Sequence, residues 1–159
     1  MAKAPLTYKL NRRGDAKIAR AADRGLSAHN KPYSGPANFN YFTISARNEK
    51  GKLIGAVDAY GFYGWLFVRY LWVDGRYRRG ERRVGSELMD RAEAYAKQCG
   101  YYGIWLDTFE FQARPFYEKR GYSLFGELKD HPPGYSRFFM RKMIGKPPKG
   151  PRRQPARPR

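Results

Sequence analysis

The sequence predicts one mixed α/β domain, and three observations carry that reading. Stretches with two-residue alternation and stretches with helical spacing interleave in the order β-α-β-β-β-α-β-α-β-β. The run Trp65–Val73 (WLFVRYLWV) is too rich in aromatic and β-branched residues for a comfortable helix and reads as a buried central strand. Val84, Leu88, Ala92, Tyr95, Ala96 and Cys99 recur at four- and three-residue steps, which marks an amphipathic helix with Gly100 just past its end. Cys99 on that stripe reads as a core residue.

The remaining elements follow in order. Residues 6–10 alternate as a short strand would. Asp15 can cap a helix running to about Ala28, with Ile18, Ala22 and Leu26 near helical spacing. Residues 29–39, with Pro32, Gly35 and Pro36, read as a loop. Residues 41–48 and 53–60 read as strands joined by a hairpin turn at Glu49-Lys50-Gly51-Lys52. After the long helix, residues 104–108 form a short buried strand. Ala113, Phe116 and Tyr117 define a short helix with Pro115 in its first turn and Gly121 as terminator. Residues 122–128 and 137–143 are two last strands around the loop Asp130-His131-Pro132-Pro133-Gly134.

Composition narrows the function. The chain has 159 residues, enough for one domain with a real core. Lys and Arg number 32 against 14 Asp and Glu, a formal charge of +18, which favours anionic partners such as nucleic acid or phosphorylated ligands. Residues 145–159 carry five prolines and six basic residues without an acid, and read as a disordered basic tail. Removing those six charges from +18 still leaves +12 on residues 1–144, the folded domain. A single cysteine rules out an internal disulfide framework, and two distant histidines, His29 and His131, disfavour a metal site. No apolar run approaches the ~20 residues of a spanning helix, and residues 1–5 lack a secretory signal's apolar core, so the expected compartment is the cytoplasm.

The most informative stretch is 72–86, WVDGRYRRGERRVGS: a strand end, a loop rich in glycine and arginine, and a helix start. A helix N-terminus offers unpaired N–H groups and the positive end of the macrodipole, and arginines add charge-assisted contacts, so the stretch can cradle a pyrophosphate. Its five arginines can equally solvate a surface loop or touch RNA phosphates. The aromatics Tyr60, Phe62, Tyr63, Trp65, Phe67, Tyr70 and Trp72 admit a stacking platform for single-stranded nucleic acid. Core packing and the lining of a cleft account for them better, because alternation puts one set inside.

Taken with the block Ala113 to Tyr122 (ARPFYEKRGY), these elements resemble the GNAT superfamily of acetyl-CoA-dependent N-acetyltransferases. The resemblance covers roughly residues 41–143 and extends to a bacterial subgroup through WLDTFEFQARPFYE (105–118) and FGELKDHPPG (125–134). It implies a mostly antiparallel sheet splayed at the cofactor cleft, with the strands 65–73 and 103–108 as neighbours. It implies that the backbone of Leu71, Trp72 and Val73 lines the pantetheine arm. Arg78, Arg79, Gly80, Arg83, Val84, Gly85 and Ser86 would hold the pyrophosphate. Tyr117 stands where many members place a tyrosine that protonates the departing thiolate, a role suited to a phenol. The chain departs from the family at two places. Aligning Gly85 with the last loop glycine puts Arg83 at the first, where positive φ or close phosphate approach opposes a side chain. Alternatively, Arg79-Gly80 is the usual Arg-Gly pair and about two residues are inserted before Val84. Glu110 occupies a position where asparagine is frequent.

The expected activity is acetyl transfer from acetyl-CoA directly to a primary amine. Asp58, Asp107 and Glu110 are candidate bases that read more simply as structural acids, and His131 can line the acceptor pocket. The basic surface and tail allow nucleic acid as a partner. The alternative is a GNAT-fold RNA-binding or ribosome-associated protein with weakened or lost catalysis.

Overall fold

The computed structural model describes residues 6–78 and 83–150. The chain divides into two compact units, one running to Pro36 and one from Ala37 on. The first holds α1 (Ala16–Ser34), capped by Asp15, whose side chain accepts from Lys17 N at 2.8 Å and Ile18 N at 3.2 Å. The helix outruns its sequence reading. Pro32 lies in its last turn, where a missing N–H costs one bond, and the Gly35 N–H closes the end on the Lys31 carbonyl at 3.2 Å. Residues 6–10 form no strand, which corrects the reading from alternation. Leu6, Tyr8 and Leu10 are 79–89% exposed; alternation makes a strand only where a ladder partner and a cover exist.

The second unit is a six-stranded sheet in the order β1-β2-β3-β4-β6-β5, with β1 (Asn40–Arg47), β2 (Leu53–Phe62), β3 (Trp65–Val73), β4 (Gly103–Phe109), β5 (Ser123–Leu128) and β6 (Arg137–Met143). All neighbours pair antiparallel except β3 and β4. The β1–β2 turn is built by Asn48, whose side-chain oxygen accepts from Lys50 N and Lys52 N at 3.1 and 3.0 Å. The β2–β3 turn puts Tyr63 and Gly64 at φ 50° and 80°, as a two-residue hairpin demands. Gly64 is obligatory for a second reason: a Cβ there would sit 2.1 Å from the Tyr102 ring.

Helix α2 (Val84–Gln98) and the short α3 (Arg114–Lys119) pack on one face of this sheet. Leu88, Met89, Ala92 and Ala96 of α2 and Tyr117 of α3 join Val57, Leu66, Val68, Ile104, Leu106 and Met140 in one buried cluster. Alternation along β3 therefore buries Leu66 and Val68, while Trp65 and Phe67 point to the opposite face. Beyond Val68 the strand is half-buried or exposed, so only its first half is the buried strand expected. Cys99 is exposed as well. It caps α2 where the helical stripe stops, and its Sγ accepts from Asn40 Nδ2 at 3.3 Å.

Candidate active site

Strand β3 pairs with β4 only from Trp65↔Gly103 to Val68↔Leu106. Beyond these pairs the strands separate, so residues 69–73 and 107–109 have no ladder partner across the gap. A bulge accompanies the separation: consecutive Asp58 and Ala59 of β2 face Tyr70 and Val68, so Arg69 is the extra residue and β3 bends there. The expected splay between these two strands is present, and an open stretch of backbone donors and acceptors on β3 suits an amide-bearing arm. Leu71 and Val73 lean on the core and Trp72 is exposed. The Val73 carbonyl is already taken, because Arg78 Nε donates to it at 2.9 Å.

The start of α2 lies beside this gap. A Cβ built on Gly85 would sit 3.6 Å from Val73 Cγ2 and 3.8 Å from Phe116 Cζ, which puts the helix N-terminus, the β3 end and α3 together. Arg83 is the N-cap residue, at φ 40° and ψ 40°, and makes no side-chain cap bond. The left-handed conformation that glycine would adopt there is thus held by arginine. Among the described residues no side chain caps the first N–H groups of α2, at Val84, Gly85 and Ser86, so the helix start offers donors and the positive end of its dipole to an anion. These features fit a pyrophosphate-bearing thioester. Arg79 and Gly80, also expected to contact it, lie outside the described residues.

Tyr117 sits on α3, which is locked to the end of β4 by Gln112 and Thr108. Gln112 Oε1 accepts from Phe109 N at 2.8 Å and from Thr108 Oγ1 at 3.3 Å. Tyr117 is 7% exposed and packs edge-on to Phe116 and Tyr122. Its hydroxyl makes no hydrogen bond among the described residues. Burial first, and the nearby Asp107 carboxylate second, push its pKa up to about 12, with Arg120 opposing. It therefore carries its proton at neutral pH, the state a general acid needs.

The three carboxylates considered as bases all have partners. Asp107 Oδ2 accepts from Arg137 Nε and pairs with Arg137 Nη2, both at 2.7 Å. Glu110 Oε2 accepts from Ser136 N at 2.9 Å, engaging the β5–β6 loop. Asp58 Oδ2 accepts from the Tyr41 hydroxyl, which raises the Tyr41 pKa, while Oδ1 faces Arg69 Nη1 at 3.4 Å. His131 Nε2 lies 3.3 Å from Arg137 Nη1. Arg137 thus links His131 to Asp107, a grouping of two candidate residues that sequence spacing did not reveal. Sequence reading also missed Glu93, which accepts from Arg120, Tyr122 and Lys142 and ties α2 to the residues that follow α3 and to β6.

Comparison with known proteins shows the family and the fold. Residues 15–122 match the family model described as the acetyltransferase (GNAT) family. Blasticidin-S acetyltransferase of Streptomyces morookaense is 38% identical over 104 residues, 65% of this chain and 75% of that protein. An acetyltransferase of Agrobacterium fabrum is 26% identical over 137 residues, 86% of this chain and 98% of its own. The crystal structure of an acetyltransferase from Bacillus cereus superposes with a TM-score of 0.74 at 30% identity, covering 86% of this chain and 98% of that one. A splayed sheet, an uncapped helix at its mouth and a buried protonated tyrosine thus accompany relatedness in sequence and in fold, and the chain belongs to the GNAT family of acetyl-CoA-dependent acetyltransferases.

Proposed function

We propose that this protein transfers the acetyl group of acetyl-CoA directly to a primary amine of a small molecule, with Tyr117 as the general acid. The observation that carries the reading is the parting of β3 and β4 after Val68 and Leu106, beside the uncapped start of α2. Acetyl-CoA supplies an activated acetyl thioester and a thiolate leaving group. The backbone of Leu71, Trp72 and Val73 pairs with β2 but has no ladder on the β4 side, so its groups facing the gap, apart from the Val73 carbonyl that Arg78 holds, offer hydrogen bonds to an extended amide-bearing arm. Val84, Gly85 and Ser86 offer N–H groups to the pyrophosphate, and Arg78 and Arg83 add positive charge at the loop ends. In the balanced reaction a C–N bond forms, the C–S bond breaks, nitrogen gives up a proton and sulfur takes one. Tyr117 holds that second proton at Oη. The relatedness to a protein named for blasticidin S supports a small-molecule acceptor.

The test is acetyl-CoA-dependent thiol release against a panel of small amines that includes blasticidin S. Turnover with at least one amine, lowered by ~10²–10⁴-fold in Tyr117→Phe, is the expected result. Unchanged turnover in Tyr117→Phe would leave that residue a packing aromatic.

A further inference from the structure

Strands β3 and β4 part after the pair Val68↔Leu106, so Asp107 is the first β4 residue on the edge of the gap. Alternation along β4 buries Ile104, Leu106 and Thr108 and turns Trp105, Asp107 and Phe109 to the sheet face opposite α2 and α3. Arg137 reaches Asp107 from β6, the neighbour on the other edge of β4, and its contacts from Nε and Nη2 both fall on Oδ2 at 2.7 Å. Asp107 Oδ1 accepts no hydrogen bond among the described residues. Arg137 is itself held. Its guanidinium lies over the Phe109 and Phe139 rings, 5.3 and 5.7 Å from their centroids, and its Nη1 is 3.3 Å from His131 Nε2. One carboxylate oxygen is thus clamped and the other open where the strands part. The Asp107 charge also reaches the hydroxyl of Tyr117, which packs on the helix face. The other two carboxylates considered stand elsewhere. Asp58 lies on β2, with β3 between it and the gap; Glu110 follows the end of β4 and its Oε2 accepts from Ser136 N.

Resting on the acetyl-transfer reading above, we infer that Asp107 Oδ1 is the base that takes the proton of the acceptor nitrogen. The neutral amine adds to the thioester carbonyl carbon, and its lone pair becomes the new C–N bond. The nitrogen, now positively charged, passes one proton to Asp107 Oδ1 and is left neutral. The C–S bond breaks with its electron pair on sulfur, and Tyr117 Oη gives sulfur a proton. Asp107 then returns its proton to water and the Tyr117 phenolate takes one from water, so the net change is one proton moved from nitrogen to sulfur. The clamp on Oδ2 fixes the carboxylate in one orientation, which a proton acceptor at a defined place requires.

The experiment compares thiol release by the full chain and its Asp107→Asn variant at saturating acetyl-CoA. The acceptor is n-butylamine or, where the parent turns it over faster, another amine of the panel above. Asparagine keeps the size of the side chain and an oxygen for Arg137 but takes up no proton. Asp107→Asn should lower kcat about 10²-fold or more near neutrality, with the acetyl-CoA dissociation constant by calorimetry changed less than about 3-fold. The loss should shrink as pH rises from about 7 to 9, because hydroxide takes over the work of the missing base. If Asp107→Asn fails to fold, Asp107→Ser carries the same comparison. Thiol release by the parent with kcat of the variant within about 3-fold would overturn the inference and leave acetyl transfer standing. A loss that is the same at every pH, or one matched by an equal loss of acetyl-CoA affinity, would make Asp107 a structural acid and overturn it too. No thiol release by the parent with any amine would remove the acetyl-transfer reading, and the inference with it.

Discussion

Arg83→Gly should move stability and cofactor affinity in opposite directions. Arg83 sits at φ 40° and ψ 40°, where an L side chain costs roughly 1–2 kcal/mol and glycine costs nothing. Glycine loses more chain entropy on folding, which returns about 0.5–1 kcal/mol. No cap bond is lost, because the Arg83 side chain makes none. The net expectation is a chain as stable or more stable, by up to about 1.5 kcal/mol in denaturant unfolding without cofactor. Acetyl-CoA, by contrast, loses a charge-assisted contact worth about 1.5–3 kcal/mol, which is about a 10- to 150-fold weaker dissociation constant by calorimetry. A destabilised variant would refute the strain argument. A variant that binds acetyl-CoA as well as or better than the parent would show that the arginine occupies a position the cofactor needs left bare.

Three further outcomes follow from the same structure. Tyr117→Phe should change stability by less than about 1 kcal/mol, because the ring packing stays and the hydroxyl makes no hydrogen bond among the described residues; thermal melting checks it. Glu93→Ala should cost about 2–4 kcal/mol, since Glu93 is 12% exposed and leaves Arg120 and Lys142 without it; Asp90 still pairs with Arg120, which keeps the loss below the full buried-pair penalty, and urea unfolding measures it. Asp74 is held well below the usual aspartate range, at about 2, by hydrogen bonds from Arg76. A depressed carboxyl stabilises above its unfolded pKa, so this contribution should be complete near neutrality and fade as pH falls from about 4 to 2, seen as a carboxyl resonance titrating near 2.

The parts legible in the sequence were those whose signal is local. The run Trp65–Val73, the stripe from Val84 to Ala96 and the block around Tyr117 each carry their own periodicity or caps, and each formed where expected. The strand reading of residues 6–10 failed because alternation says nothing about a ladder partner. The loop reading of residues 29–34 overrated Pro32, which a last helical turn tolerates. Arg83 was legible in a subtler way: alignment placed a side chain at a left-handed position, and the backbone is left-handed there. Pairings across long separations stayed hidden. Arg137 joins Asp107 across 30 residues, and Lys142 reaches Glu93 across 49. Which aromatics face away from the helices depends on the register between β2, β3 and β4, which alternation within one strand does not fix.

Backbone amide shifts on titration with acetyl-CoA test the central claim most directly. The largest movements should fall at Leu71, Trp72 and Val73 and at Val84, Gly85 and Ser86, the two edges of the gap that opens where β3 leaves β4. Saturating shifts confined to other elements, or none at millimolar acetyl-CoA, would contradict the account.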